Sequence, residues 1–278
     1  MQEYPAAERR RRDMEQALLG AAAGTLFSFA MTVLGSAMVF LFRKLPTDKW
    51  YRLLLGFAAG VMMAASVWSL LIPSIEYTKS LPLPNWLPAV GGVLSGVIFL
   101  IFADIVIEKS HLLTTILHRH LPCQKSSIWM MMAVTLHNIP EGMAIGLSFA
   151  MAVKTGQIDS GMYAAAIALA LGIGVQNFPE GAAISLPLHQ DGISAVRSFV
   201  YGSLSAIVEP IFGIATVCLV SYVQIVLPWL LAFAAGAMLY VVIHELLPAP
   251  KQQGSSVGFT LSVIVGFLTM MLLDVALG

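Results

Sequence analysis

Two hexapeptides hold the most reactive spacing in this chain, His137-Asn138-Ile139-Pro140-Glu141-Gly142 and Gln176-Asn177-Phe178-Pro179-Glu180-Gly181. On a helix of 3.6 residues per turn His137 and Glu141 share a face with Asn138 beside them, and Gln176, Asn177 and Glu180 group the same way. Pro140 and Pro179 lack a backbone N–H, so each frees a carbonyl in mid-helix. The glycine after each glutamate lets a neighbouring backbone approach closely. Glu209, immediately before Pro210, supplies a third acid from another segment. One imidazole, amide oxygens and three carboxylates make a mixed nitrogen and oxygen ligand set, which suits Zn, Fe, Mn or Cd better than Ca. The same groups would also serve a proton relay through neutral carboxylic acids, or simply hydrogen-bond helices together.

Six carboxylates, Asp104, Glu141, Glu180, Glu209, Glu245 and Asp274, fall within apolar stretches, and no Lys or Arg lies well inside any of them. An ionised carboxylate near the centre of a bilayer costs on the order of 2.5–3.5 kcal/mol, so three together cost on the order of 8–10 kcal/mol if uncompensated. A cation, or protons, must neutralise them. The stretches belong in a membrane because 58% of residues are hydrophobic, only 11% are charged and the mean hydropathy is +0.83, a composition no water-facing surface tolerates. The formal net charge of +0 gives no electrostatic footprint for nucleic acid.

Apolar runs bounded by Pro, Gly and charged clusters predict eight spans, 17–42, 51–75, 86–107, 128–152, 162–188, 198–222, 226–248 and 258–277. Each reaches the roughly 20 residues that cross the hydrocarbon core, and because lipid cannot satisfy backbone groups each must be a helix. The expected fold is therefore all-α, a polytopic membrane protein with a basic arm over 1–16 and one eight-helix domain over 17–278. Arg9 to Arg12 read as a solvated or headgroup-facing arm, and without an apolar core in 1–15 the first span is expected to act as an uncleaved insertion signal. Cys123 and Cys218 sit in unlike surroundings and are read as unpaired. Connections after odd-numbered spans hold Arg43, Lys44, Lys49, Arg52, Lys109, Arg119, Lys125, Arg197 and Lys251, against Lys79 and Lys154 on the other side. The positive-inside rule then puts both termini outside the cytoplasm, with the Arg9 to Arg12 arm pulling the other way.

Span 2 contains Phe57-Ala58-Ala59-Gly60-Val61-Met62 and span 7 contains Phe233-Ala234-Ala235-Gly236-Ala237-Met238. Spans 2 and 7 point in opposite directions, as do spans 4 and 5 with their Pro-Glu-Gly hexapeptides. Both pairs read as inverted-topology repeats, which in secondary transporters place the substrate site at the repeat interface on helices interrupted by Gly or Pro.

The paired His-Asn-x-Pro-Glu-Gly and Gln-Asn-x-Pro-Glu-Gly motifs on the fourth and fifth of eight spans resemble the ZIP family of divalent-metal transporters, in its bacterial GufA-type branch, over the whole chain from Ala17 onward. The resemblance implies extracytoplasmic termini, a multi-pass protein of the bacterial inner (plasma) membrane, metal moved toward the cytoplasm, zinc foremost, and a homodimer with a moving transport domain. It implies no prosthetic group, the divalent ion being substrate. Carried over to this sequence, one ion would be held by His137, Glu141, Gln176 and Glu180 with Met62, and an adjacent one by Asn138, Glu141, Asn177, Glu180 and Glu209, Glu141 and Glu180 bridging. Some relatives have Asp where this chain has Asn177, so the second position loses a charge. His244 and Glu245 resemble residues of the cytoplasmic exit route. Asp104 and Asp274 read as entrance or packing acids. His111, His118, His120 and Cys123, in the loop after span 3, are spaced loosely enough to hold a soft metal transiently, or make a merely polar loop.

Two other classes are weighed against transport of metal. An intramembrane metalloenzyme is not expected, since His244-Glu245 lacks the second His of a His-Glu-x-x-His motif and no nucleophile stands beside a base. A proton-coupled carrier of organic cations is compatible with the acids alone.

Overall fold

The computed structural model describes residues 6–41, 48–109, 125–153, 160–222, 224–247 and 257–277, which form helices and short turns with no strand among the described residues. His111, His118, His120 and Cys123 lie outside the described residues, as do Arg43, Lys44, Arg119, Lys154 and Lys251. Helix α1 covers Ala6–Ser36 and is extended by a short helix Met38–Leu41. Helix α2 starts as Asp48–Ala65, widens into a π-helical stretch over Ser66–Leu71 and closes as Ile72–Thr78. Helices α3 (Trp86–Lys109), α4 (Lys125–Val153) and α5 (Ser160–Gln190) follow. Helix α6 comes in two pieces, Ala195–Leu204 and Val208–Tyr222. Helix α7 runs over Leu227–Val241 into a π-helical Val242–Leu246, and α8 covers Val257–Leu277.

Seven of these are long and apolar enough to cross a membrane; α4, 29 residues long, falls outside the seven because His137, Asn138, Pro140 and Glu141 dilute its apolar content. The chain is thus a polytopic all-α membrane protein. One boundary differs from expectation. The helix of α1 continues back into the basic arm, where Arg11 with Glu15 and Arg12 with Glu8 pair one turn apart, a local support for helix that hydropathy does not register.

Helices α2, α4 and α7 are largely enclosed, while α3 and α8 turn Ile98, Phe102, Leu261 and Leu272 outward, as lipid-facing helices do. The Ser74 hydroxyl near the end of α2 donates to the Pro228 carbonyl at the start of α7, so these two run antiparallel. They are packed through equivalent residues. A Cβ on Gly60 would collide with the Val263 carbonyl of α8 and one on Gly266 with the Phe57 carbonyl; across the molecule Gly236 meets Val93 of α3 and Gly96 the Phe233 carbonyl. Glycine is required at all four because backbone meets backbone there. Both π-helical stretches begin six residues after the glycine of Phe-Ala-Ala-Gly. The inverted repeat read from the sequence therefore extends into the packing.

Candidate metal centre

Glu141 lies well inside α4, about 24 Å along the axis from its first residue and about 18 Å from its last at 1.5 Å per residue. The flanking helices are brought against it by missing side chains: a Cβ on Gly142 would strike the Glu209 backbone of α6, and one on Gly181 the Thr32 carbonyl of α1. Asn138, Glu141, Gln176, Asn177 and Glu209 are fully buried, with His137 at 4% and Glu180 at 7% exposure. The three acids lie within range of one another's charge: Glu141 interacts electrostatically with Glu180 and Glu209, and Glu180 with Glu209 and Glu245. Among the described residues no Lys or Arg makes an ion pair with any of them.

The hydrogen bonds share one polarity. Gln176 Nε2 donates to Glu141 Oε1 at 2.6 Å, Asn138 Nδ2 to the Ser205 carbonyl at 3.1 Å, and Asn177 Nδ2 to both Ser28 Oγ and Glu209 Oε1 at 2.8 Å. Each side-chain amide nitrogen in the motifs thus donates to protein at least once, and Asn177 Nδ2 does so with both hydrogens. What remains is acceptors: Asn138 Oδ1, Glu141 Oε2, Gln176 Oε1, Asn177 Oδ1 and Glu209 Oε2 are buried with no hydrogen-bond partner among the described residues. His137 Nε2 belongs with them; it lies 3.0 Å from Glu245 Oε1 but out of line for a hydrogen bond. Buried polar atoms are normally satisfied; these six, five oxygens and one imidazole nitrogen, have no hydrogen-bond partner among the described residues. The donor set, one imidazole nitrogen among oxygens, fits a borderline transition metal.

Ser205 accepts because α6 is broken there. Pro210 has no N–H, and Glu209 N bonds the Ala206 carbonyl at 3.0 Å rather than that of Ser205, so the Ser205 carbonyl is left for Asn138.

Polar clusters flank the centre at the two ends of the antiparallel α2 and α7. On the α7 side one ligand atom each from Asp104, His244 and Glu245 lies within 4.8 Å of the others. Tyr240 donates its hydroxyl to Asp104 Oδ2 at 2.8 Å and stacks on His244 with ring centroids 5.0 Å apart. Glu245 links this cluster to His137. On the α2 side Ser69 donates to Asp274 Oδ1 at 2.7 Å, at the wall of a cavity of about 500 Å³ that also meets Trp68, Glu76, Tyr77 and Ser148.

Of the residues named from the sequence, Gln176 meets Glu141 and Asn177 meets Glu209 by hydrogen bonds, Glu141 senses the charges of Glu180 and Glu209, His137 lies beside Glu245, and Asn138 meets the Ser205 carbonyl. Met62 is buried in the main hydrophobic core, its carbonyl accepting from Ser66 Oγ at 2.7 Å. Sequence reasoning missed Ser28 and Tyr240 and left Asp104 and Asp274 undecided. A signal for the two aspartates existed: each stands eight residues after the packing glycine of its helix, Gly96 or Gly266.

The fold and this site together define a polytopic membrane protein that buries three carboxylates without a Lys or Arg partner among the described residues. The family model described as ZIP zinc transporter matches residues 117–274, more than half of the chain, and the chain belongs to that family. It is 39% identical over 149 residues to the human zinc transporter ZIP11, 38% over 153 residues to the zinc transporter GufA of Myxococcus xanthus, and 34% over 152 residues to the zinc transporter ZIPB of Bordetella bronchiseptica. These alignments take in 54%, 55% and 54% of this chain and 43%, 57% and 46% of the respective relatives. The chain spans about half the length of the curated relatives it matches.

Proposed function

We propose that this chain carries divalent transition-metal ions, zinc foremost, across a bacterial inner membrane toward the cytoplasm. The observation that carries the reading is the set of six buried lone-pair atoms, from His137, Asn138, Glu141, Gln176, Asn177 and Glu209, left without donors; the names of the relatives support zinc. His137, Glu141, Gln176 and Glu180, with Met62, hold one ion, and Asn138, Asn177 and Glu209 with the bridging Glu141 and Glu180 hold a neighbour. The carboxylates replace hydration water that the ion gives up, and the ion supplies the charge that lets the acids stay ionised at this depth. The ion enters by the cavity at Ser69 and Asp274 and leaves by Asp104, His244 and Glu245, the end that the Lys and Arg distribution puts in the cytoplasm. Alternating access follows from the inverted repeat, with α4 and α5 moving against their neighbours. The test is zinc uptake into proteoliposomes: Glu141→Ala or Glu180→Ala abolishes it while the protein still inserts, and uptake at the native rate in either variant ends this assignment.

A further inference from the structure

Asn177 is a neutral amide among acids, and only one of its two ends is of use to a cation. An amide oxygen is a ligand; the nitrogen, half a turn away about the same bond, repels the ion. Something must choose the end that faces the site. Both hydrogens of Nδ2 are committed, one to Ser28 Oγ and one to Glu209 Oε1, each at 2.8 Å. Asn177 Nδ2 thus bridges Ser28 and Glu209, all three fully buried, and Asn177 Oδ1 and Glu209 Oε2 are left without a partner among the described residues.

The repeat gives an independent view of the same task. Ser28 stands four residues before Thr32, against which Gly181 packs, and Ser205 stands four before Glu209, against which Gly142 packs. The two serines are therefore counterparts, and each fixes the Asn of the hexapeptide beside it. On the broken α6 a free backbone carbonyl at Ser205 does so. Helix α1 is unbroken, and the Ser28 carbonyl is committed within it, with Thr32 Oγ1 also donating to it at 3.4 Å. A side-chain acceptor is the only device left at that position.

We propose that Ser28 is a positioning residue of the second metal position, the one that decides that Asn177 presents its oxygen to the ion. This rests on the reading of the centre as a metal site. Alanine at 28 leaves one amide hydrogen buried without an acceptor, so the Asn177 side chain can turn and Nδ2 competes with Oδ1 for the inward place. Aspartate at 177 needs no such guidance, since either carboxylate oxygen serves.

The experiment is calorimetric titration of the purified full chain with Zn²⁺, with bound ions counted by mass spectrometry after dialysis. The native chain is expected to bind two ions. Ser28→Ala keeps the first affinity within about twofold and weakens the second by about 10–100-fold, the cost typical of losing an outer partner of a ligand. Ser28→Cys, whose thiol is a poor acceptor, behaves alike and serves if alanine impairs folding. The double variant Ser28→Ala with Asn177→Asp recovers the second ion. Unchanged affinities in Ser28→Ala, equal weakening of both ions, or no recovery in the double variant overturns the proposal. A native chain that binds one ion also overturns it and leaves the first position standing, whereas one that binds none overturns the underlying reading of the centre.

Discussion

The two oxygens of Glu141 have different work. Oε1 is held by Gln176, and Oε2 has no partner among the described residues. Replacing the charge but not the shape separates the two. Glu141→Gln is expected to weaken Zn²⁺ binding by more than the roughly 10–100-fold that an outer hydrogen bond is worth, because a ligand and a charge are lost together. The same change removes one of three mutually repelling acids, so the ion-free protein should melt at a higher temperature while losing its zinc-induced shift; calorimetry and thermal unfolding in detergent read both. Acidity acts through the same lone pairs. Protons and the ion compete for the carboxylates and for His137 Nε2, and only the deprotonated groups bind, so affinity should fall as pH falls and rise as it is raised. A zinc affinity that is flat across a pH series would contradict the ligand set.

Elements make these residues available by failing to be regular. The break in α6 frees the Ser205 carbonyl for Asn138. Pro210→Ala restores an N–H, allows the helix to close through 205–207 and recaptures that carbonyl. The expected outcome is a higher melting temperature with zinc binding several-fold weaker, a trade of site strain for stability, checked by the same two measurements. Gly142 marks the closest approach of α4 to α6. Gly142→Ala forces its Cβ into the Glu209 backbone and should cost about 1–3 kcal/mol of stability by overpacking, with zinc binding lost as Glu209 is pushed away. The repeated hexapeptides, the Phe-Ala-Ala-Gly pair and the excess of acids were all legible in the sequence because each is a local pattern. Pro210 announced a kink but not which carbonyl it would free. Ser28 carried no local signal at all, being one serine on an apolar helix whose role appears only when α1 is laid against α5. The helical extension of α1 was missed for a related reason: hydropathy marks where lipid begins, not where backbone hydrogen bonding begins.

At the scale of the molecule, lipid dictates the architecture. Eight stretches of about 20 apolar residues leave few alternatives to a helical bundle, which is why the fold was readable and the pairing of its helices was not. Pairing follows the repeat, α2 on α8 as α7 on α3, and the centre lies where the two copies meet. The copies differ at that point: His137 corresponds to Gln176 and Glu209 to Thr32, so the third acid belongs to one repeat only. The direction of transport depends on orientation. With Cys123 and Cys218 replaced by serine, Ser80→Cys should react with an impermeant maleimide from outside intact cells and Gln190→Cys only after permeabilisation; the opposite pattern would reverse the proposed direction. Among the described residues no Lys or Arg pairs with Glu141, Glu180 or Glu209, and an ion should supply that charge. Anomalous diffraction from crystals soaked in Zn²⁺ or Cd²⁺ tests this most directly. The predicted result is a peak among His137, Glu141, Gln176 and Glu180, with a second beside Asn138, Asn177 and Glu209. Peaks confined to the protein surface, with Glu141, Glu180 and Glu209 bonded only to one another, would contradict it.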